Sequence, residues 1–171
     1  MRPLFPLALV CLALCFALVV PAQAANSFSS AGEVGQWIMD YYKKPEPERL
    51  ADALKVLAES DGISEDGQKL IVSFVGAALA EAPKAQEGFF KAVQDHEKAR
   101  LFAIPAFWFM NNAEGKALIE RAGKQWKGTG VSELAKQLLA SQSPNLMAGS
   151  VRTSLHLDHL WSVFFATGNA E

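Results

Sequence analysis

Cysteine is nearly absent from this chain. There are two in 171 residues, Cys11 and Cys15, and both fall in the first fifteen positions. Everything after them can form no disulfide, carry no cysteine nucleophile and hold no thiolate metal site. Strand-like alternation of apolar and polar residues is also missing, and β-branched residues are sparse, which argues against a sheet. Charge of one sign is lacking too. Sixteen Lys and Arg stand against eighteen Asp and Glu, mixed along the chain. That balance offers neither the basic stripe of a nucleic-acid binder nor a polybasic lipid-seeking cluster. No G-x-S-x-G elbow occurs. Gly128-Thr129-Gly130 lacks the terminal Lys-Ser/Thr of a phosphate loop. Asp61 to Gly67 fails as a calcium loop, because Ile63 takes its third position and the glycine falls at the seventh rather than the sixth.

The N-terminus has a clear pattern. Arg2 precedes an apolar run over residues 7–20, Pro21 breaks it, and Ala22-Gln23-Ala24 places small residues at −3 and −1 of a cleavage site. The run is too short for a comfortable membrane span and fits a secretory signal peptide over 1–24, cut between Ala24 and Ala25. The predicted product is exported to a bacterial periplasm or beyond, with no membrane anchor left after cleavage. Taking 24 residues from 171 leaves 147, a usual size for one domain, large enough to stand on its own core. Removing Arg2 with the leader leaves fifteen Lys and Arg against eighteen Asp and Glu, about −3.

Residues 25–32 read as a flexible leader and 33–171 as one helical domain. The period from Glu33 onward is helical almost throughout. Pro47 and Glu48 open a helix ending at Ser60-Asp61-Gly62, with Leu50, Ala53, Leu54, Leu57 and Ala58 on one face. Ser64 caps the next, which presents Leu70, Ile71, Phe74, Val75, Ala78 and Leu79, and Pro83 is expected to close it. A short helix follows over 86–96. The uncharged stretch 101–110 predicts a central buried helix that Pro105 starts or kinks. Asn111-Asn112 breaks and caps before a helix over 113–127, and shorter ones follow over 132–141 and 153–167, the last with Leu157, Leu160, Trp161, Phe164 and Phe165 as its apolar set. The fold class expected is all-α, seven or eight short helices packed as antiparallel hairpins. A recurring outline of aromatic pair, breaker and acidic helix start at Tyr41-Tyr42, Phe107-Trp108 and Phe164-Phe165 is compatible with a short α-solenoid-like array.

Few residues carry chemistry. His156 and His159 lie three apart on one predicted helix and could share a metal, but zinc needs at least a third ligand, and His96 is the only other histidine. Glu59-Ser60 at a helix end resembles the catalytic Glu-Ser of helical lytic transglycosylases, which would make Glu59 a general acid. The resemblance covers two residues, and the Gly-Leu-Met-Gln and Asn-Ala-Gly segments of that family are missing. The aromatics ordinarily pack a core. Tyr41, Tyr42, Trp108 and Trp161 are the candidates for a partner surface, since consecutive helical residues such as Tyr41 and Tyr42 cannot both face inward. The sequence therefore points to a non-catalytic binding protein without a cofactor, its partner another protein or an envelope component rather than nucleic acid. A peptidoglycan-active enzyme using Glu59 and a membrane-peripheral protein using residues 101–110 are the alternatives.

Overall fold

Ser30 begins the fold by capping its first helix. Its side chain accepts from the Glu33 backbone N–H at 3.2 Å, and the Glu33 carboxylate returns to Ser29, taking both its N–H and its hydroxyl at 2.8 Å. In the computed structural model the described residues are 27–148 and 150–169. The predicted signal peptide over 1–24 and the predicted cleavage point between Ala24 and Ala25 lie outside them. The expected leader over 25–32 enters at Ser27 and is already packed one residue later. Phe28 is buried beside Trp37, and the Arg49 guanidinium stands 4.1 Å over its ring.

The described residues form eight α-helices and no strand, the all-α fold expected from the periodicity. They are α1 (Ala31–Asp40), α2 (Leu50–Glu59), α3 (Glu65–Glu81), α4 (Pro83–Val93), α5 (Glu97–Phe109), α6 (Ala113–Gln125), α7 (Val131–Leu139) and α8 (Ser154–Thr167). Short 3-10 turns, Tyr41–Lys43 and Pro47–Arg49, link α1 to α2. Caps set most boundaries. Ser64 accepts from Gly67 N–H, His96 from Ala99, Asn112 from Gly115 and Thr153 from His156. Gly168, at φ 71°, ends α8 in the left-handed conformation that glycine adopts without strain.

Pro83 does not close α3 as expected; it opens α4 at the first helical position, where its missing N–H is no loss. The helix read over 86–96 therefore starts earlier, and His96 belongs to the next cap. Pro105 neither starts nor ends α5 but sits inside it.

Helices α3 and α5 form the centre. They approach closely at Gly76, where an added Cβ would meet the Ala106 carbonyl and Phe109 Cβ. A similar approach at Gly115 brings the start of α6 onto the Phe107 carbonyl. The α6–α7 pair flanks α5, α2 lies across it, and α8 returns to pack on α3. Phe107, fully enclosed, is ringed by Phe89 at 5.9 Å, Phe90 at 6.2 Å and Trp126 at 6.0 Å. Residues 101–110 are thus only half a core helix. Ala103, Ile104, Ala106 and Phe107 are sealed, while Leu101 is 37% exposed and Phe102, Pro105, Trp108 and Phe109 are partly open. Helix α3 is enclosed from Val72 to Gly76 without a break.

Candidate functional site

Helix α8 turns the wrong face outward. The residues it buries are His159, Ser162 and Ala166, one small and two polar. Leu157, Leu160, Trp161 and Phe164, at the i, i+3, i+4, i+7 spacing that normally faces a core, line an open hollow of about 330 Å³ instead, with Met147 and Asn169. Leu157 is 46% exposed and Trp161 52%. The sequence reading takes this set only as the apolar side of the helix, with Trp161 alone named for a surface. The cause of the outward turn lies in the two inward polar side chains, both of which find a partner. Ser162 Oγ donates to the Asp158 carbonyl at 3.0 Å, and His159 Nδ1 lies 3.0 Å from Ser73 Oγ on α3. Buried polar groups with partners cost little, and narrow residues let α8 sit close to α3.

Two of the four aromatic candidates meet here. Tyr42 packs at a tilt against Phe164 at 5.1 Å, and Trp161 meets Phe164 edge-on at 5.7 Å and stacks on Phe165 at 5.9 Å. Tyr41 does not join them. It is 2% exposed, wedged between Trp37 and Phe74, so as a surface candidate it is withdrawn. Burial, with the charges of Glu48 and Glu46 behind it, pushes its hydroxyl up to about 12 and keeps it neutral. Trp108 lies elsewhere, in a second groove of about 570 Å³ between α3, α5, α7 and α8, with Val72, Phe102, Pro105, Phe109 and Leu138. Glu65, Gln68, Lys69 and His159 supply the polar part of that groove.

The chemical candidates fare differently. Glu59 is held below the ordinary carboxylate value, chiefly by the hydrogen bond from Lys98 at 2.8 Å. His96 adds a contact at 3.5 Å. A general acid needs the opposite shift, from an apolar pocket, and Glu59 is exposed and lines none of the hollows described above. His156 and His159 do not converge. His156 Nε2 engages the Leu146 carbonyl at 3.0 Å while His159 Nδ1 engages Ser73. Among the described residues no group of three His, Asp or Glu is placed to hold a metal. No described helix is long and apolar enough to cross a membrane.

The chain matches no protein-family model, no curated protein and no solved structure. Function is therefore argued from the surface itself. Leu157 and Leu160, missed as surface residues by the sequence reading, had one available signal: a second stripe on the same helix, His159-Ser162-Ala166, able to be the buried one.

Proposed function

We propose that this protein is an exported, non-catalytic interaction protein of a bacterial periplasm. It binds another protein or an envelope component through the outward stripe of α8. The observation that supports this most is Trp161, half exposed within an apolar row that Tyr42 extends. Contiguous apolar surface rimmed by polar groups is unusual on a monomer and marks interaction sites, and Trp and Tyr dominate the energetics of such sites. The leader over 1–24 supports the compartment on its sequence pattern.

The enzyme alternative has little to draw on, because the one carboxylate it needs is paired and exposed. The membrane-peripheral alternative has less to draw on, since half of residues 101–110 is enclosed.

Capture of the exported protein with its bound partners, run beside a Trp161→Asp variant of equal stability, tests the reading. A specific component retained by the wild type and lost by the variant is expected. Hydrolysis of peptidoglycan that vanishes in Glu59→Gln would overturn it.

A further inference from the structure

The groove between α3, α5, α7 and α8 contains one polar atom unlike the rest. Gln68 Nε2 donates to the Ile63 carbonyl at 3.3 Å, and Lys69 is shared between Glu65 at 2.9 Å and Asp66 at 3.0 Å. The charges at this edge offset one another locally. His159 is different. Ser73 Oγ lies 2.9 Å from the Leu70 carbonyl, an atom that can only accept, so the single hydroxyl proton points there. With its proton on the Leu70 carbonyl, the same Oγ, 3.0 Å from His159 Nδ1, accepts from the ring. The imidazole is therefore the Nδ1–H tautomer, and its Nε2 is a bare acceptor. No described residue bonds to Nε2, and the ring packs 5.5 Å from that of Phe109, which also lines the groove. Burial, first, holds the ring below the ordinary histidine value, so the acceptor is present at neutral pH.

We propose that this groove binds a small uncharged apolar molecule with one hydrogen-bond donor, such as an alkyl alcohol or primary amide. The donor meets His159 Nε2, and the apolar part lies along Val72, Phe102, Pro105 and Phe109. A hollow of about 570 Å³ is in the range of small-ligand sites, which are mostly apolar with a few convergent polar groups. A charged head is disfavoured because Lys69 already has its carboxylates. The site is separate from the α8 stripe and does not depend on the function proposed for it.

Titration of the purified full-length protein with 1-octanol and with its methyl ether separates the donor from the chain. Binding is followed by the ¹⁵N shift of the His159 imidazole and by Trp108 fluorescence. The alcohol binds roughly five- to tenfold tighter than the ether, the value of one hydrogen bond, and moves Nε2 more than Nδ1. In His159→Phe, which keeps the packing on Phe109, the two bind equally. Leu101→Glu, at the exposed margin of the groove, weakens both. Equal binding of alcohol and ether by the wild type, no binding of either, or a preference that persists in His159→Phe overturns the proposal.

Discussion

His159 and Ser73 are 86 positions apart in the chain and 3.0 Å apart in the fold, a hydrogen bond between α8 and α3 with both residues buried. It explains why α8 accepts a polar inward face. It also fixes which way the helix is rolled, and so which residues it shows to solvent.

Ser73→Ala removes the acceptor and leaves the His159 Nδ1–H buried without one. An expected loss of about 1–3 kcal/mol follows from an unsatisfied buried donor, read as a lower midpoint in denaturant at neutral pH. A change indistinguishable from a surface substitution would mean that the bond does not hold α8 in place.

The same histidine gives stability a pH dependence. Burial, then the positive charges of His156 and Lys69, holds its folded value down against the pull of Asp158 and Asp66. The unfolded chain takes up the proton near pH 6.5 while the fold resists it. Stability is therefore whole above about pH 6.5 and falls as pH drops below that toward the folded value. Denaturant unfolding at about pH 7.5 and about pH 5.5 should show this decline in the wild type and a smaller one in His159→Gln.

Gly76 and Gly88 should behave oppositely on substitution by alanine. A Cβ at Gly76 would collide with the Ala106 carbonyl and Phe109 Cβ, whereas at Gly88 it meets nothing within 4 Å. Gly76→Ala is expected to cost about 1–3 kcal/mol by forcing α3 from α5. Gly88→Ala, on the exposed side of α4, should gain about 0.5–1 kcal/mol from helix propensity. Thermal unfolding of the two variants measures the contrast.

Glu87 links α4 to α6 through Arg121, at 2.6 Å and 3.0 Å. Arg121 also lies 3.8 Å over the Phe90 ring. Arg121, and then Lys91, pull the Glu87 carboxyl down to about 2. A lowered carboxylate contributes above its unfolded value, about 4.3, and loses that contribution as pH falls toward about 2. Glu87→Gln should therefore flatten acid unfolding in that interval, its loss of stability, small for an exposed pair, being present near neutrality and vanishing toward the acid end.

The sequence reaches the helices more surely than their orientation. Ser64, Asn112 and Thr153 act as caps because the cap is a local contact with a backbone N–H three residues on. Pro83 misleads because a proline ends one helix and begins the next with equal ease when the two are a single residue apart. Phe28 is unreadable as an anchor, since its partners, Trp37 and Arg49, lie across a turn of the fold. Of the site, Tyr42 and Trp161 are legible from type and spacing. The exposure of Leu157 and Phe164 is not, because apolar periodicity reports that a face is apolar and not what covers it. Which stripe of α8 is buried is decided by Ser73, on a helix far away in sequence.

The role of the α8 stripe is tested most directly by a photo-reactive residue placed at position 161 of the full chain in cells that export it, with one at Lys84, an exposed site on α4, as control. The account predicts a discrete covalent adduct with one envelope protein or component from position 161 and none from position 84. The same diffuse labelling from both positions would contradict it.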